Sequence, residues 1–309
     1  MRSIYKNIAH NPRFQLWPFG SSGIVATGPT AARWKLELTN ANDVVAVSKG
    51  TNASTTKYDK WMRSEANMTI AVTGLDAAST LRIRQFQEWA EDFGQNCVVM
   101  TVIASGPAGS SFYFGIGDNY DTLTTLGNDA GGDPIMVAKT STFAFDDPVY
   151  EYMRVTPFES PSAVGTYRLH YVNAEVMANP NERSEFELRP EWEEWDIIKR
   201  YITPIKTGMF ATGAGVTGIR IPVVAPPGGW RIAPSIAPGG RATSVKINLN
   251  SGGTEITNNA PVFTLATTPP PNVHGCVILF TGFTTTAAAS QYVIGDNPDP
   301  IFYLNADYF

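Results

Sequence analysis

Cys97-Val98-Val99-Met100-Thr101-Val102-Ile103-Ala104-Ser105-Gly106-Pro107-Ala108-Gly109-Ser110-Ser111-Phe112-Tyr113-Phe114 decides the fold class. Two runs rich in β-branched and aromatic residues flank a Gly/Pro/Ser stretch, the pattern of strand, turn and strand. The same pattern recurs at Val44-Val45-Ala46-Val47 and Asn67-Met68-Thr69-Ile70-Ala71-Val72, each bounded by turn formers. Leu81-Arg82-Ile83-Arg84-Gln85-Phe86-Gln87-Glu88-Trp89-Ala90 alternates strictly and then shifts to a helical pattern before Gly94, which predicts a strand entering a short helical turn.

A clear helix is predicted over Pro190–Ile202, with Pro and acids at its start and Lys199-Arg200 at its end, the order the helix dipole favours. Trp192, Trp195 and Ile198 fall on one stripe at helical spacing and are expected to pack against a sheet. Beyond Pro204 the sequence returns to strands and to loops such as Ala225–Trp230. The 309 residues are enough for two cores. The expected organisation is all-β: a jelly-roll β-sandwich over 1–187, a linker helix over 188–203 and a second, smaller β-sandwich over 204–309.

Charged residues make up only 17% of the chain and the net charge is −5, with no long basic run, so a nucleic-acid partner is not expected. No window carries about 18 uninterrupted apolar residues, and the opening Met1–Asn7 holds no apolar signal core. Synthesis in a cytoplasm without a signal peptide or membrane insertion is the expectation. Cys97 and Cys276 lie in apolar runs that read as two inert core thiols.

Asn11-Pro12-Arg13-Phe14-Gln15-Leu16-Trp17-Pro18-Phe19-Gly20, Arg33-Trp34, the Gln85-containing strand and Cys97–Ser105 occur in an order that resembles a phage and prophage virion family with a carbohydrate-binding-module-like jelly roll. Ser184-Glu185-Phe186-Glu187-Leu188-Arg189-Pro190 and the following stretch to Arg200-Tyr201 look like that family's jelly-roll-closing strand and exit helix. Ile219–Val223, Trp230–Pro234 and Leu304–Asp307 resemble its later strands. Ala32 and Lys199 depart from the family's pattern. The resemblance implies a non-enzymatic fibre or spike component in the virion, a homo-oligomer with a trimer as first choice. Its partners would be other virion proteins and a host cell-surface polysaccharide.

His10, His170 and His274 stand apart from one another, and no phosphate loop, Gly-x-Ser-x-Gly elbow or zinc spacing occurs. No catalytic residue, metal ligand or cofactor is therefore assigned. The oxygen-rich stretches Gly115–Asp121 and Asn128–Asp133 read as plain turns, since neither has the ligand spacing of a calcium loop. The adjacent acids Glu91-Asp92, Asp146-Asp147 and Glu193-Glu194 point to opposite faces if on strands and do not form a glycosidase pair by themselves. Sugars stack their C–H faces on aromatic rings and need fixed partners for their hydroxyls. Tyr113, Asp118, Asn119, Tyr120 and Asp121 meet that need and are the candidate carbohydrate-binding residues. The competing readings are alternation of Phe112, Tyr113 and Phe114 in and out of a core, a capsid decoration protein with no receptor role, a tail-associated depolymerase and a cellular lectin.

Overall fold

The computed structural model describes residues 7–18, 24–39, 43–51, 66–76, 80–88, 97–144, 152–177, 190–205, 210–213, 218–227, 229–230, 232–236, 245–249, 256–258, 262–267, 270–281, 291–294 and 302–305. The expected helical turn after Glu88, the strand over 184–189, Ala306-Asp307 and the acid pairs at 91–92 and 146–147 lie outside the described residues. The chain divides into two compact units, one running to Trp195 and one starting at Asp196, apart from short terminal exchanges.

The first unit holds β1 (Gly28–Pro29), β2 (Lys35–Leu38), β3 (Val44–Thr51), β4 (Ala66–Gly74), β5 (Leu81–Glu88), β6 (Cys97–Ser105), β7 (Ser111–Ile116), β8 (Asn119–Thr124), β9 (Val137–Ala144), β10 (Tyr152–Glu159) and β11 (Gly165–Met177). They form a six-stranded sheet, β1-β2-β5-β10-β7-β8, and a five-stranded sheet, β3-β4-β11-β6-β9. The antiparallel pairs β7·β8, β6·β9, β5·β10 and β4·β11 are nested one inside the next and alternate between the two sheets. That is one long hairpin rolled across a sandwich, the jelly roll, with β2 and β3 extending its sheets.

Alternation places the core. Phe112, Phe114 and Ile116 of β7 point inward with Val98, Met100 and Val102 of β6 and Val155 and Phe158 of β10. Phe112, Phe158 and Tyr167 pack ring on ring at centroid distances of 4.7, 6.0 and 5.2 Å. Each such buried ring contributes about 2 kcal/mol through the apolar area it removes from water. Two bulges adjust the phase. In β10, register shifts against both neighbours between Val155 and Glu159, where Pro157 has no N–H to give a ladder. The extra residue lets Val155 and Phe158 both face the core while Glu159 faces outward. In β11 the shift between Leu169 and Tyr171 makes His170 the extra residue.

The helix α1 spans Glu191–Ile198, shorter than expected. A turn closed by Tyr201 N–H donating to Ile198 O follows, and the chain then enters β12 (Ile202–Ile205). The expected stripe holds at Ile198, which is buried, and at Trp195, which is half-buried, but is corrected at Trp192, which is 64% exposed; Glu194 takes a place on the buried face. Glu194 turns inward because its carboxylate has a hydrogen-bonding task in the first unit.

The second unit adds β13 (Phe210–Gly213), β14 (Gly218–Val224), β15 (Ser235–Ile236), β16 (Val245–Leu249), β17 (Ile256–Asn258), β18 (Val262–Leu265), β19 (Gly275–Thr281), β20 (Gln291–Ile294) and β21 (Phe302–Asn305). A seven-stranded antiparallel sheet, β17-β16-β20-β13-β14-β19-β18, accompanies a three-stranded one, β12-β21-β15, in a second, smaller β-sandwich. Ile219, Ile221, Val223, Cys276, Ile278, Trp230 and Leu304 are among its buried residues. Among the described residues no helix is long and apolar enough to cross a membrane.

Candidate functional site

The outer face of the six-stranded sheet gathers a cluster of charged side chains from β2, β5 and β10. Residues paired in register share a face, so one row across five strands reads Glu37, Arg82, Glu159, Tyr113 and Thr122. Beside it lie Lys35 opposite Arg84, Phe86 opposite Arg154, and the trio Thr156, Gly115 and Tyr120. At about 4.8 Å per strand, the row is about 19 Å long. The alternation of Leu81, Arg82, Ile83 and Arg84 explains the pair of guanidiniums: the aliphatic residues fill the core and the arginines go outward.

These charges are paired. Glu37 meets Lys35 at 3.1 Å, Arg82 Nε at 3.0 Å and also Arg84. Arg82 also approaches Glu159 at 3.7 Å, and Arg154 meets Asp118 at 2.6 Å. Burial alone would raise the Glu37 carboxyl, but the Arg84 guanidinium and the Lys35 ammonium outweigh it and hold the group below its ordinary range. Arg84 also lies over the Phe86 ring, 4.7 Å from its centroid. Tyr120 is pushed up by burial and by the Glu159 carboxylate, which accepts its hydroxyl. Two buried polar atoms in this network, Arg84 Nε and Glu159 Oε2, have no hydrogen-bond partner.

The five residues singled out from the sequence are split by the structure. Tyr113 and Tyr120 lie on the outer face, 48% and 38% exposed, while Phe112 and Phe114 are in the core. Asp118 occupies the β7–β8 turn after Gly117, whose φ of 60° suits glycine, and pairs with Arg154. Asn119 is exposed at the start of β8. Asp121 points the other way, toward the five-stranded sheet, where it takes Lys139 at 2.9 Å and the Ser141 hydroxyl. Gly115 lies against the backbone of β8, where a Cβ would meet the Asn119 carbonyl oxygen at 1.9 Å. Sequence reading missed Lys35, Glu37, Arg82, Arg84, Arg154 and Glu159; the Arg82/Arg84 alternation was the one local signal for them.

The ordered motif residues turn out to be structural. Asn11 donates through Nδ2 to Leu16 O (3.0 Å) and Ala32 O (3.4 Å), and its Oδ1 accepts from Leu16 N (3.2 Å). Its own N–H donates to Glu194 Oε2 at 2.8 Å, and Trp34 Nε1 donates to its carbonyl at 3.2 Å. Gln85 exchanges two hydrogen bonds with the His10 backbone, and Arg33 donates to His10 Nδ1 and to Phe86 O. Asn11, Phe14 and Arg33 all adopt positive φ, at 49°, 53° and 71°. A buried polar hub of this kind specifies one arrangement of the N-terminal segment, β5 and α1, because each unmade bond would leave a buried group unsatisfied.

Burial raises the Cys276 thiol to about 11, and the Cys97 thiol donates to Met177 O. In the Asn128–Asp133 turn the Asp129 carboxylate accepts from the N–H groups of Gly131 and Asp133, both at 2.9 Å. Among the described residues no group of three His, Cys, Asp or Glu is placed to hold a metal ion.

No family model and no curated protein matches the sequence. Similar solved structures include the enzymatically active domain of tailspike protein 4 of bacteriophage CBA120, at 15% identity and a TM-score of 0.36 over 56% of this chain. This chain spans only 22% of the length of that tailspike fragment. They also include the C-terminal family 22 carbohydrate-binding module of Clostridium thermocellum Xyn10B, at 10% identity and a TM-score of 0.35, covering 56% of this chain and 96% of that one. The family 11 carbohydrate-binding module of C. thermocellum follows at 8% identity and a TM-score of 0.29, over 50% and 96%. Likenesses this faint leave the chemistry of the site to be read from its own residues.

Proposed function

We propose that the chain is a non-enzymatic structural component of a bacteriophage virion, a fibre or spike element, and that the outer face of its six-stranded sheet holds a host-surface glycan. One observation carries the binding part. Two exposed tyrosines, Tyr113 and Tyr120, stand on the same face of the sheet as a ladder of ion-paired Lys, Arg and Glu side chains. Rings supply stacking surface, and pre-oriented polar atoms take hydroxyls without the entropy loss of ordering free side chains. The virion part is supported by the ordered sequence segments described above. Several copies on one particle would turn weak single-site binding into avidity.

Binding is favoured over hydrolysis on chemical grounds. A general acid needs a carboxyl kept protonated near neutrality, whereas Arg84 and Lys35 hold the Glu37 carboxyl below its ordinary range, and Arg82 stands between it and Glu159. The test is incubation of the purified chain with surface polysaccharides of candidate hosts, reading retention and reducing ends, together with localisation of the chain in intact particles. Retention without new reducing ends, and density in a projecting element, are expected. Released reducing ends would replace this reading with a depolymerase, and a capsid-lattice position without glycan retention would replace it with a decoration protein.

A further inference from the structure

We infer that one loop end of the first unit's sandwich pairs with the same end of a second copy of this chain. Register brings the start of β3, the end of β4, the start of β11, the end of β6 and the start of β9 to one end of the five-stranded sheet. The connections β2–β3 (39–43), β4–β5 (75–80), β6–β7 (106–110), β8–β9 (125–136) and β10–β11 (160–164) all belong to that end. Of the five large aliphatic side chains exposed among the first unit's described residues, four are here: Val44, Leu75, Leu126 and Val164. Three of the loops are knit together. The Gly109 N–H donates to Thr125 O at 2.9 Å and the Ser162 N–H to Ser111 O at 2.7 Å. The Ser110 and Thr125 hydroxyls meet at 2.8 Å, and the Tyr167 hydroxyl donates to Ala163 O at 2.8 Å. The loops also lie in close contact: a Cβ on Gly127 would strike Ala108 Cβ at 2.8 Å, and one on Gly165 would strike Pro107 Cγ at 2.3 Å. A surface fixed in this way loses little entropy on docking.

The charge pattern of this end identifies its partner. The five connections contain no Lys, Arg, His, Glu or aromatic residue, and their only charges are Asp43, Asp76, Asp129 and Asp133. Asp43 is buried and accepts from the Asp76 N–H at 2.9 Å, and Asp129 accepts from two N–H groups of its own loop. The loops 106–110 and 160–164 carry no charge at all. A protein of different sequence is ordinarily gripped through Arg, Tyr or Trp anchors and through opposite charge. This end has no such anchor, and two of its four carboxylates are already engaged. On a two-fold axis each group faces its own kind, so a surface that pairs with itself must be uncharged in its middle, and small and aliphatic side chains serve it. The size agrees. With about 4.8 Å between strands, about 10 Å between sheets and about five strands in each, the end measures roughly 24 by 20 Å, and two ends bury roughly 1,000 Å² in all. That is the lower limit for a specific contact, so the pair is weak and reversible.

The test is sedimentation velocity of the full chain in low and high salt, from about 1 to about 300 µM, a range that reveals pairs of micromolar and weaker affinity. The mass should double reversibly with concentration, and salt should favour the pair, because it screens the repulsion between the two sets of aspartates. Two double variants, Leu126→Asp with Val164→Asp and Leu126→Lys with Val164→Lys, change exposed side chains and should keep the parent's unfolding midpoint. Each alone should pair roughly tenfold more weakly or worse, since like charges then face each other. Mixed in equal amounts, the acidic and basic variants should pair again, and salt should now weaken the pair. A parent that stays one species across the range, or an acidic variant that pairs as well as the parent, would overturn the inference. Variants that fail to pair when mixed would also overturn it, since the end would then meet a different surface of the chain.

Discussion

His170 offers a stringent check on the architecture of the first unit. It is the extra residue of the β11 bulge, buried, with Nε2 at 3.0 Å from Ser105 Oγ. Burial, helped by Arg168, pushes it down to about 3 from its ordinary value of 6.5. Above pH 6.5 the imidazole is neutral in both folded and unfolded chains and contributes no pH dependence. Below that, the unfolded chain takes up a proton that the folded one refuses, so stability falls as pH drops from 6.5 toward 3. At pH 5 the unfolded group lies 1.5 units above the solution pH, and at about 1.36 kcal/mol per unit the loss is about 2 kcal/mol. Urea unfolding of parent and His170→Gln at pH 7.5 and 5.0 measures it. The variant is less stable at both, but its loss between the two pH values should be smaller than the parent's by about 2 kcal/mol. Equal losses would show that His170 titrates normally in the fold and that the bulge does not bury it.

Asn11→Ala removes three side-chain hydrogen bonds and puts alanine at a φ of 49°, so it should lower the stability of the first unit by about 3 kcal/mol, read by chemical denaturation. Trp192→Ala, at an exposed position of α1, should change stability by no more than about 0.5 kcal/mol, whereas Glu194→Ala should cost about 2 kcal/mol by stranding the Asn11 N–H. Gly115→Ala forces the β7–β8 hairpin apart at the Asn119 carbonyl; glycan retention should be lost, with about 1–3 kcal/mol of stability.

Local physics made some of this legible in advance. The run at 97–105 is a continuous β-branched and apolar stretch and forms a strand buried from Val98 to Ser105, while the strand at 111–116 buries Phe112 and Phe114 and exposes Tyr113. The acids of its first turn mark the helix and Ile198 is buried as its spacing requires, but the place of Glu194 on the buried face has no local signal. Hydrophobicity pointed to Trp192, while a hydrogen bond from Asn11, far away in sequence, decided for Glu194. The site shows the same limit. Tyr113 and Tyr120 are neighbours in one hairpin and were found together, whereas Glu37, Arg82 and Glu159 come from three separate strands and meet only through register. Asp121 was misgrouped because alternation, counted through the turn, sends it to the opposite side from Tyr120.

The most direct test of the central claim is equilibrium binding of the first unit's outer face to a retained polysaccharide, comparing the parent chain with Tyr113→Ala, Tyr120→Ala and the double variant. Each ring contributes stacking area on an exposed face, so each single change should weaken binding about tenfold and the double change about a hundredfold, with the unfolding free energy of Tyr113→Ala within about 0.5 kcal/mol of the parent's. Undiminished affinity in the double variant would contradict the account and move the binding surface off this sheet.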